Sequence, residues 1–316
     1  RKKTMQGLIS MAQGQWSRAE RQLTRSADDT DIPLINYLAA AKAAYEQGHH
    51  EATSDLLQRA SKTTRGAELP AGMAKAQFLI SRDQPEQALA VLVSLRDKYP
   101  RHSYLLKVLV RLYEKLEDWV ALKNLLPVLG KSGPYSAEQL HELSIKVYVQ
   151  LIDRLMHGHS DLDQAHELKA MFHGLPRNYR KSRRVLLAYG KALHQLGKDE
   201  LAEVELRTGL KHAWSDELIE LYGELITPET GRQKLFAEKQ LTERPNDPTL
   251  LLVLARLSVR TGELDQANEY VETGLSLKPT AGLLTLQADI LAASEQFQQA
   301  AEIYKKAMEL TERQQG

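Results

Sequence analysis

The sequence predicts an all-α chain: about nine helical pairs stacked as a right-handed superhelical solenoid over residues 1–316. Three observations predict it. Turn positions recur at a near-constant interval, with Gly14, Gly48, Asp83 and Glu117 spaced 34, 35 and 34 apart, and Gly197, Gly231, Gly262 and Glu295 spaced 34, 31 and 33. Small residues recur at fixed offsets from those turns, where two helices must cross closely. Leu and Ala dominate the apolar content, with four Phe and three Trp, and no segment carries a strand signal. A helical pair cannot bury its apolar face alone, so neighbours must stack into one continuous core.

The clearest copy runs over 246–279, NDPTLLLVLARLSVRTGELDQANEYVETGLSLKP. Ala255 is the small residue of its first helix, preceded by Leu251 and Leu254; Gly262 makes the turn and Ala267 is the small residue of the second helix. Val271, Gly274 and Pro279 occupy the remaining marker positions of a 34-residue tetratricopeptide unit.

The other elements follow in order. Residues 4–26 form the first pair around Gly14, with Ala19, Leu23 and Ser26 on the second helix. Asp28-Asp29-Thr30-Asp31 closes it, and Pro33 opens the next helix at a first-turn position. In PLINYLAAAKAAYEQG, Tyr37, Ala41 and Ala44 share a stripe, and the partner helix runs over about 50–62. The third pair is weakly marked at Pro70 and Gly72, then clear in QPEQALAVLVSLRDKYP, where Ala88 is the small marker and Pro100 the stop. The fourth unit covers 103–131, with Trp119 after its turn and Pro127 near its end.

Residues 130–135 are the most loop-like break and begin an enlarged unit over 132–176. That unit has a long first helix at about 136–156, a turn at Gly158 and a second helix at about 161–173. The pattern resumes over 177–214 through Leu186, Gly190, Gly197, Ala202, Leu206 and Gly209. Residues 216–245 are degenerate, with a helix start at Pro228-Glu229 and a stop at Pro245; 248–279 and 281–310 are regular again. The expected organisation is therefore 1–131, 132–176 and 177–316 within one solenoid, and all eleven prolines lie near predicted boundaries.

Composition removes several classes. The net charge of +1 points to no particular partner, and the absence of cysteine excludes a disulfide scaffold and thiolate chemistry. No apolar run approaches the roughly 20 residues a bilayer needs, and no signal peptide is visible. The start at Arg1-Lys2-Lys3, without an initiator Met, predicts a piece of a longer chain.

Catalytic signatures are missing. There is no Gly-x-Gly, phosphate loop, HExxH, calcium loop or nucleophile elbow, so no catalytic residue is expected. His157, His159, His166 and His173 cluster in sequence, but His166 and His173 stand seven apart, roughly 10 Å along a helix and too far for one ion. No metal site or cofactor is expected.

Two cationic features remain. RNYRKSRR places Arg177, Arg180, Lys181, Arg183 and Arg184 beside Tyr179, a patch suited to phosphates, carboxylates or anionic lipid headgroups. Nucleic acid is not the expected partner, because no recognition fold accompanies the patch. The ninth repeat position, expected to line the concave face, holds Lys42, Lys191 and Arg256, with Gln77 and Asp289 in two other units. Such a groove fits an acidic peptide or a carboxylate ligand.

With these residues in view, the chain resembles the HemY family, membrane-anchored tetratricopeptide proteins of proteobacteria. The resemblance rests on 33–48 (PLINYLAAAKAAYEQG), 99–102 (YPRH), 118–129 (DWVALKNLLPVL) and the order of the units. It implies two transmembrane helices ahead of the repeats, inner-membrane anchoring and association with porphyrin and haem biosynthesis. Arg1-Lys2-Lys3 then looks like the end of a basic juxtamembrane segment, which would keep the repeats on the cytoplasmic side. An unrelated flavoprotein oxidase shares that family name; it needs a Gly-rich flavin fold that this sequence lacks.

The expected function is a non-enzymatic scaffold, with Lys42, Lys191 and Arg256 as groove contacts by their repeat position; that it serves haem-pathway enzymes is what the resemblance implies. A porphyrin or haem carrier is the alternative, using Arg180 and Arg184 for propionates and His166 or His173 for iron. An envelope-assembly adaptor is a third reading.

Overall fold

Small residues decide how closely the helices pack, and the computed structural model shows where they lie. It describes residues 2–157 and 164–315, all of whose regular elements are helices. The chain divides into two units, Arg1–Ser144 and Ile145–Gly316.

In the first unit the pairs are α1 (Lys2–Ala12) with α2 (Trp16–Ala27), α3 (Pro33–Glu46) with α4 (His50–Ser61), α5 (Glu68–Ser81) with α6 (Pro85–Lys98), and α7 (Ser103–Lys115) with α8 (Trp119–Ser132). Each helix packs on the next, and α1, α3 and α5 also pack side by side. Ala19, Ala40, Ala41, Ala43 and Ala44 are fully buried with Leu23, which lets α2, α3 and α4 approach closely. A polar knot sits in the same core. Asn36 is fully buried and donates to Thr4 Oγ1 at 3.2 Å, and Thr4 meets Ser26 Oγ at 3.4 Å.

The long helix expected over 136–156 is α9 (Ala137–His157), within which the division between units falls. It starts on a reciprocal capping box: Ser136 Oγ accepts from Gln139 N at 3.1 Å, and Gln139 Oε1 accepts from Ser136 N at 3.0 Å. The second unit continues with α10 (Gln164–His173), one-turn α11 (Arg177–Arg180), α12 (Arg183–Gln195), α13 (Asp199–His212), α14 (Asp216–Glu224), α15 (Thr230–Leu241), α16 (Pro248–Thr261), α17 (Leu264–Leu277), α18 (Ala281–Ala293) and α19 (Phe297–Gln315). First helices α12, α14, α16 and α18 pack in series. Ala255, Ala267, Val271 and Leu283 form a buried cluster with Leu286 and Ile290. Setting α11 aside, the described residues hold eighteen helices in series, and the all-α repeat class read from the spacing is the one observed.

The turn ladder has a backbone meaning. Gly14, Gly48, Gly197 and Gly262 have φ between 65° and 81°, and Asp83, Glu117 and Glu295 adopt the same left-handed conformation at 54°, 53° and 61°. That conformation disfavours a Cβ, so the three acidic positions carry local strain.

Three expectations need correction. Gly231 is no turn: it lies in the first turn of α15, and the chain reverses earlier, over 225–229. Pro127 does not mark a boundary, because α8 runs through it. It removes the hydrogen bond to the carbonyl of Lys123, and both residues face solvent, where water can serve that oxygen. The repeat expected to start at Arg177 instead has α11 as a separate turn, with its first helix beginning at Arg183. Gly158, His159 and Asp161 lie outside the described residues.

Candidate functional site

The ninth-position cations sit on first helices, as their spacing requires, but in different surroundings. Lys42 on α3 is ion-paired with Glu46 one turn on, and its ammonium lies 5.3 Å from the Tyr45 ring and 5.8 Å from Phe78. Those two rings stack at 4.4 Å, so Lys42 is held over an aromatic pair while also ion-paired with Glu46. In the second unit, exposed Lys191 lines a recess of about 260 Å³ between α9 and α12, beside Val149, Ile152, Met156 and Asp153. Arg256 on α16 is half-buried, and its Nη1 is buried without a hydrogen-bond partner. Asp289 is engaged by the Tyr304 hydroxyl.

The RNYRKSRR cations divide between two hollows of the second unit. Arg177, Arg180 and Lys181 line a cavity of about 180 Å³ whose far side is Glu205 and His212 of α13, with Phe172 and Leu186 as its apolar lining. Arg183 and Arg184 open α12 and line a separate recess of about 400 Å³ with Ser182, Ser215 and Glu217. The patch is thus two sites. Tyr179 packs edge-on against Tyr148, ring centroids 5.1 Å apart, which anchors α11 to α9.

The histidines disperse. His157 lies 2.9 Å from the Asp153 carbonyl, His166 is exposed, and His173 Nε2 lies 3.5 Å from Glu205 Oε1. Among the described residues, no three of His, Asp or Glu converge on a metal-sized space. No helix among them is long and apolar enough to cross a membrane.

Residues that sequence reading passed over knit the degenerate stretch together. The Tyr222 hydroxyl, fully buried, donates to Glu203 Oε1 at 2.8 Å, and Arg207 Nε reaches the same oxygen at 3.1 Å. Burial first, then that hydrogen bond, push the Tyr222 hydroxyl far above the usual phenol range. Gln233 donates to the Tyr222 carbonyl, and Arg260 donates to the carbonyls of Gly223 and Leu225, the latter at 2.6 Å. These satisfy acceptors that the end of α14 leaves open. Burial holds Arg260 below the usual arginine range, and the charge of Arg256 adds to the effect.

Lys234 is a buried cation matched by Glu263 and by Gln266 Oε1 at 2.5 Å. Trp214 Nε1 donates to Asp247 Oδ2 at 3.2 Å, while Asp247 Oδ1 caps α16. Nearby, burial pushes the Tyr189 hydroxyl up to about 12, with Glu205 contributing. Partners up to 37 residues apart leave no local motif; the sequence signal was the loss of the repeat pattern itself, with Gln233 and Lys234 on a buried face.

Comparison with known proteins bears on this arrangement. The family model described as HemY protein N-terminus matches residues 1–48, the span of α1 to α3. Protein HemY of Escherichia coli is 23% identical over 312 residues, covering 98% of this chain and 77% of the relative. Protein HemY of Shigella flexneri matches with the same identity and coverage. Among solved structures, a tetratricopeptide repeat protein from Parabacteroides merdae aligns over 88% of this chain and 93% of its own, at 15% identity and a TM-score of 0.36. The Cut9–Hcn1 assembly of the APC/C aligns over 97% of this chain and 78% of its own, at 13% identity and a TM-score of 0.33. The chain is therefore a helical-repeat protein similar to HemY over nearly its whole length.

Proposed function

We propose that the protein is a non-enzymatic scaffold on the cytoplasmic face of the inner membrane, where its first-helix faces hold acidic segments of haem-biosynthesis enzymes. The observation that supports it most is Arg256: a guanidinium nitrogen buried with no acceptor, on a face built by consecutive first helices. An unanswered donor of this kind rewards a carboxylate that arrives from outside. Lys191, exposed beside an apolar recess, adds a second contact in the same unit, and Lys42 is the corresponding contact in the first. The haem-pathway association and the membrane face rest on the likeness to HemY alone.

The test is a crosslinking pull-down from native membranes with the anchored full-length protein. The expected result is recovery of porphyrin-pathway enzymes, with recovery reduced at least tenfold when Lys42, Lys191 and Arg256 are replaced together by Ala. Unchanged recovery in that variant would remove the groove mechanism, and recovery of cell-wall proteins alone would favour an envelope adaptor. Haem titration of the purified repeats checks the carrier alternative: a shifted Soret band lost on changing His166 and His173 would replace the scaffold reading.

A further inference from the structure

The cavity between α11 and α13 gathers several cations around one small space, which the first-helix face does not. Arg177, Arg180 and Lys181 enter it from one side and His212 from the other, while Glu205 is the one carboxylate in its lining. Glu205 is already engaged, its Oε1 lying 3.5 Å from His173 Nε2. Three cations against one carboxylate leave two positive charges uncompensated. Arg180 Nε is buried and meets no acceptor, a cost that native structures rarely carry without a partner.

Geometry narrows the ligand. α11 is a single helical turn, and Lys181 follows it as the cap residue, so the cations of positions 177, 180 and 181 share one short rigid piece of chain. That piece is fixed from behind by the Tyr179–Tyr148 ring contact. A cavity of about 180 Å³ is smaller than the 300–1,000 Å³ typical of drug-sized ligands. A porphyrin macrocycle would not enter it, whereas a tetrahedral oxyanion would. Two uncompensated charges match a phosphate near neutral pH, which carries about −1.5 to −2 and offers acceptor oxygens in several directions. A carboxylate would answer only half of that charge.

We propose that this cavity is a phosphate-monoester site, with Arg177, Arg180 and Lys181 gripping the oxyanion and His212 closing it from α13. The proposal is independent of the scaffold reading, since it uses neither Lys191 nor Arg256. Inorganic phosphate, a soluble phosphomonoester and a phosphatidic-acid headgroup share the recognised group, and the experiment separates them.

Calorimetric titration of the full chain would use inorganic phosphate and glycerol 3-phosphate at fixed ionic strength, with acetate as the carboxylate control. Flotation would use vesicles of phosphatidic acid in phosphatidylcholine. The variants are Arg177→Ala/Lys181→Ala, at exposed positions that leave the core intact, and Lys191→Ala as the control. Saturable binding of either soluble phosphate, weakened at least tenfold in the double variant and unchanged in Lys191→Ala, supports the site with a soluble ligand. Flotation alone, lost in the double variant, supports it with a lipid ligand. Acetate binding as tightly as phosphate, binding unaffected by the double variant, or no saturable binding to any probe would each overturn it.

Discussion

Replacing Tyr222 by Phe removes one oxygen from a closed space and leaves the ring's packing against Phe236 in place. The lost hydroxyl donates at 2.8 Å to a carboxylate, and Glu203 is itself almost entirely buried. Hydrogen bonds to charged groups contribute about 1.5–3 kcal/mol, against roughly 1 for neutral pairs. Arg207 still holds the same Glu203 oxygen at 3.1 Å, so the carboxylate is not left alone and the cost falls in the lower half of that range. The expected destabilisation is about 1.5–2 kcal/mol, equivalent to a 10- to 30-fold acceleration of amide exchange.

Hydrogen-exchange mass spectrometry is the right assay, because it reads α13 to α15 separately from the first unit and avoids assuming a single unfolding transition. Exchange should quicken across 199–277 and stay unchanged in α2 to α4. A change below about threefold would refute the reasoning, because it would place the hydroxyl's contribution below that of an ordinary neutral hydrogen bond.

Further outcomes follow from the backbone, the packing and the ionisable core. Glu295→Gly should stabilise the α18–α19 hairpin by about 0.5–1 kcal/mol, read as slower exchange there, since it relieves a left-handed Glu at the cost of some chain entropy. Gly223→Ala should destabilise by about 1–3 kcal/mol in urea unfolding followed at α14. Its Cβ would sit 2.7 Å from Val253 Cγ2 and 2.9 Å from Cγ1, and a β-branched side chain in a helix strongly prefers a single rotamer.

The folded state keeps Tyr189 neutral up to about pH 12, against an unfolded value near 10. Its contribution is therefore complete below pH 10 and is lost as pH rises through 12, a total of roughly 3 kcal/mol. Comparing the urea midpoints of the natural chain and Tyr189→Phe over pH 9–12 isolates that loss, because Tyr222 titrates in the same direction in both.

The repeat architecture was legible because its determinants are local. Asp83, Glu117 and Glu295 were placed at turns by interval alone, although none is the residue such a turn prefers, and all three have the left-handed backbone. Interval also misled at Gly231, which stands at a plausible distance from Gly197 and Gly262. The chain turns earlier because Asp199 accepts from Ile226 N at 2.6 Å and Arg260 and Gln233 bind the end of α14. Those bonds join residues that no short pattern connects.

The candidate site was legible in the same partial way. Sequence located the five cations around Tyr179, but their division into two hollows depends on α11 ending at Arg180 and α12 starting at Arg183. His212 and Glu205 entered only when α13 was folded against them. The repeat position alone points to Arg256, whereas its buried unpaired nitrogen belongs to tertiary structure.

The long-range bonds of the degenerate stretch have a consequence for how the second unit comes apart. In a linear array each repeat ordinarily opens at its own interface, and cooperativity reflects the strength of nearest-neighbour coupling. Arg260 reaches back from α16 to the carbonyls of α14, Lys234 on α15 is ion-paired with Glu263 and hydrogen-bonded to Gln266, and Trp214 is tied to Asp247. None of these bonds survives if one of the two pairs opens alone. Residues 214–277 should therefore melt as a single foldon, larger than one repeat, so that the units with the poorest repeat sequence form the mechanical clamp of the array.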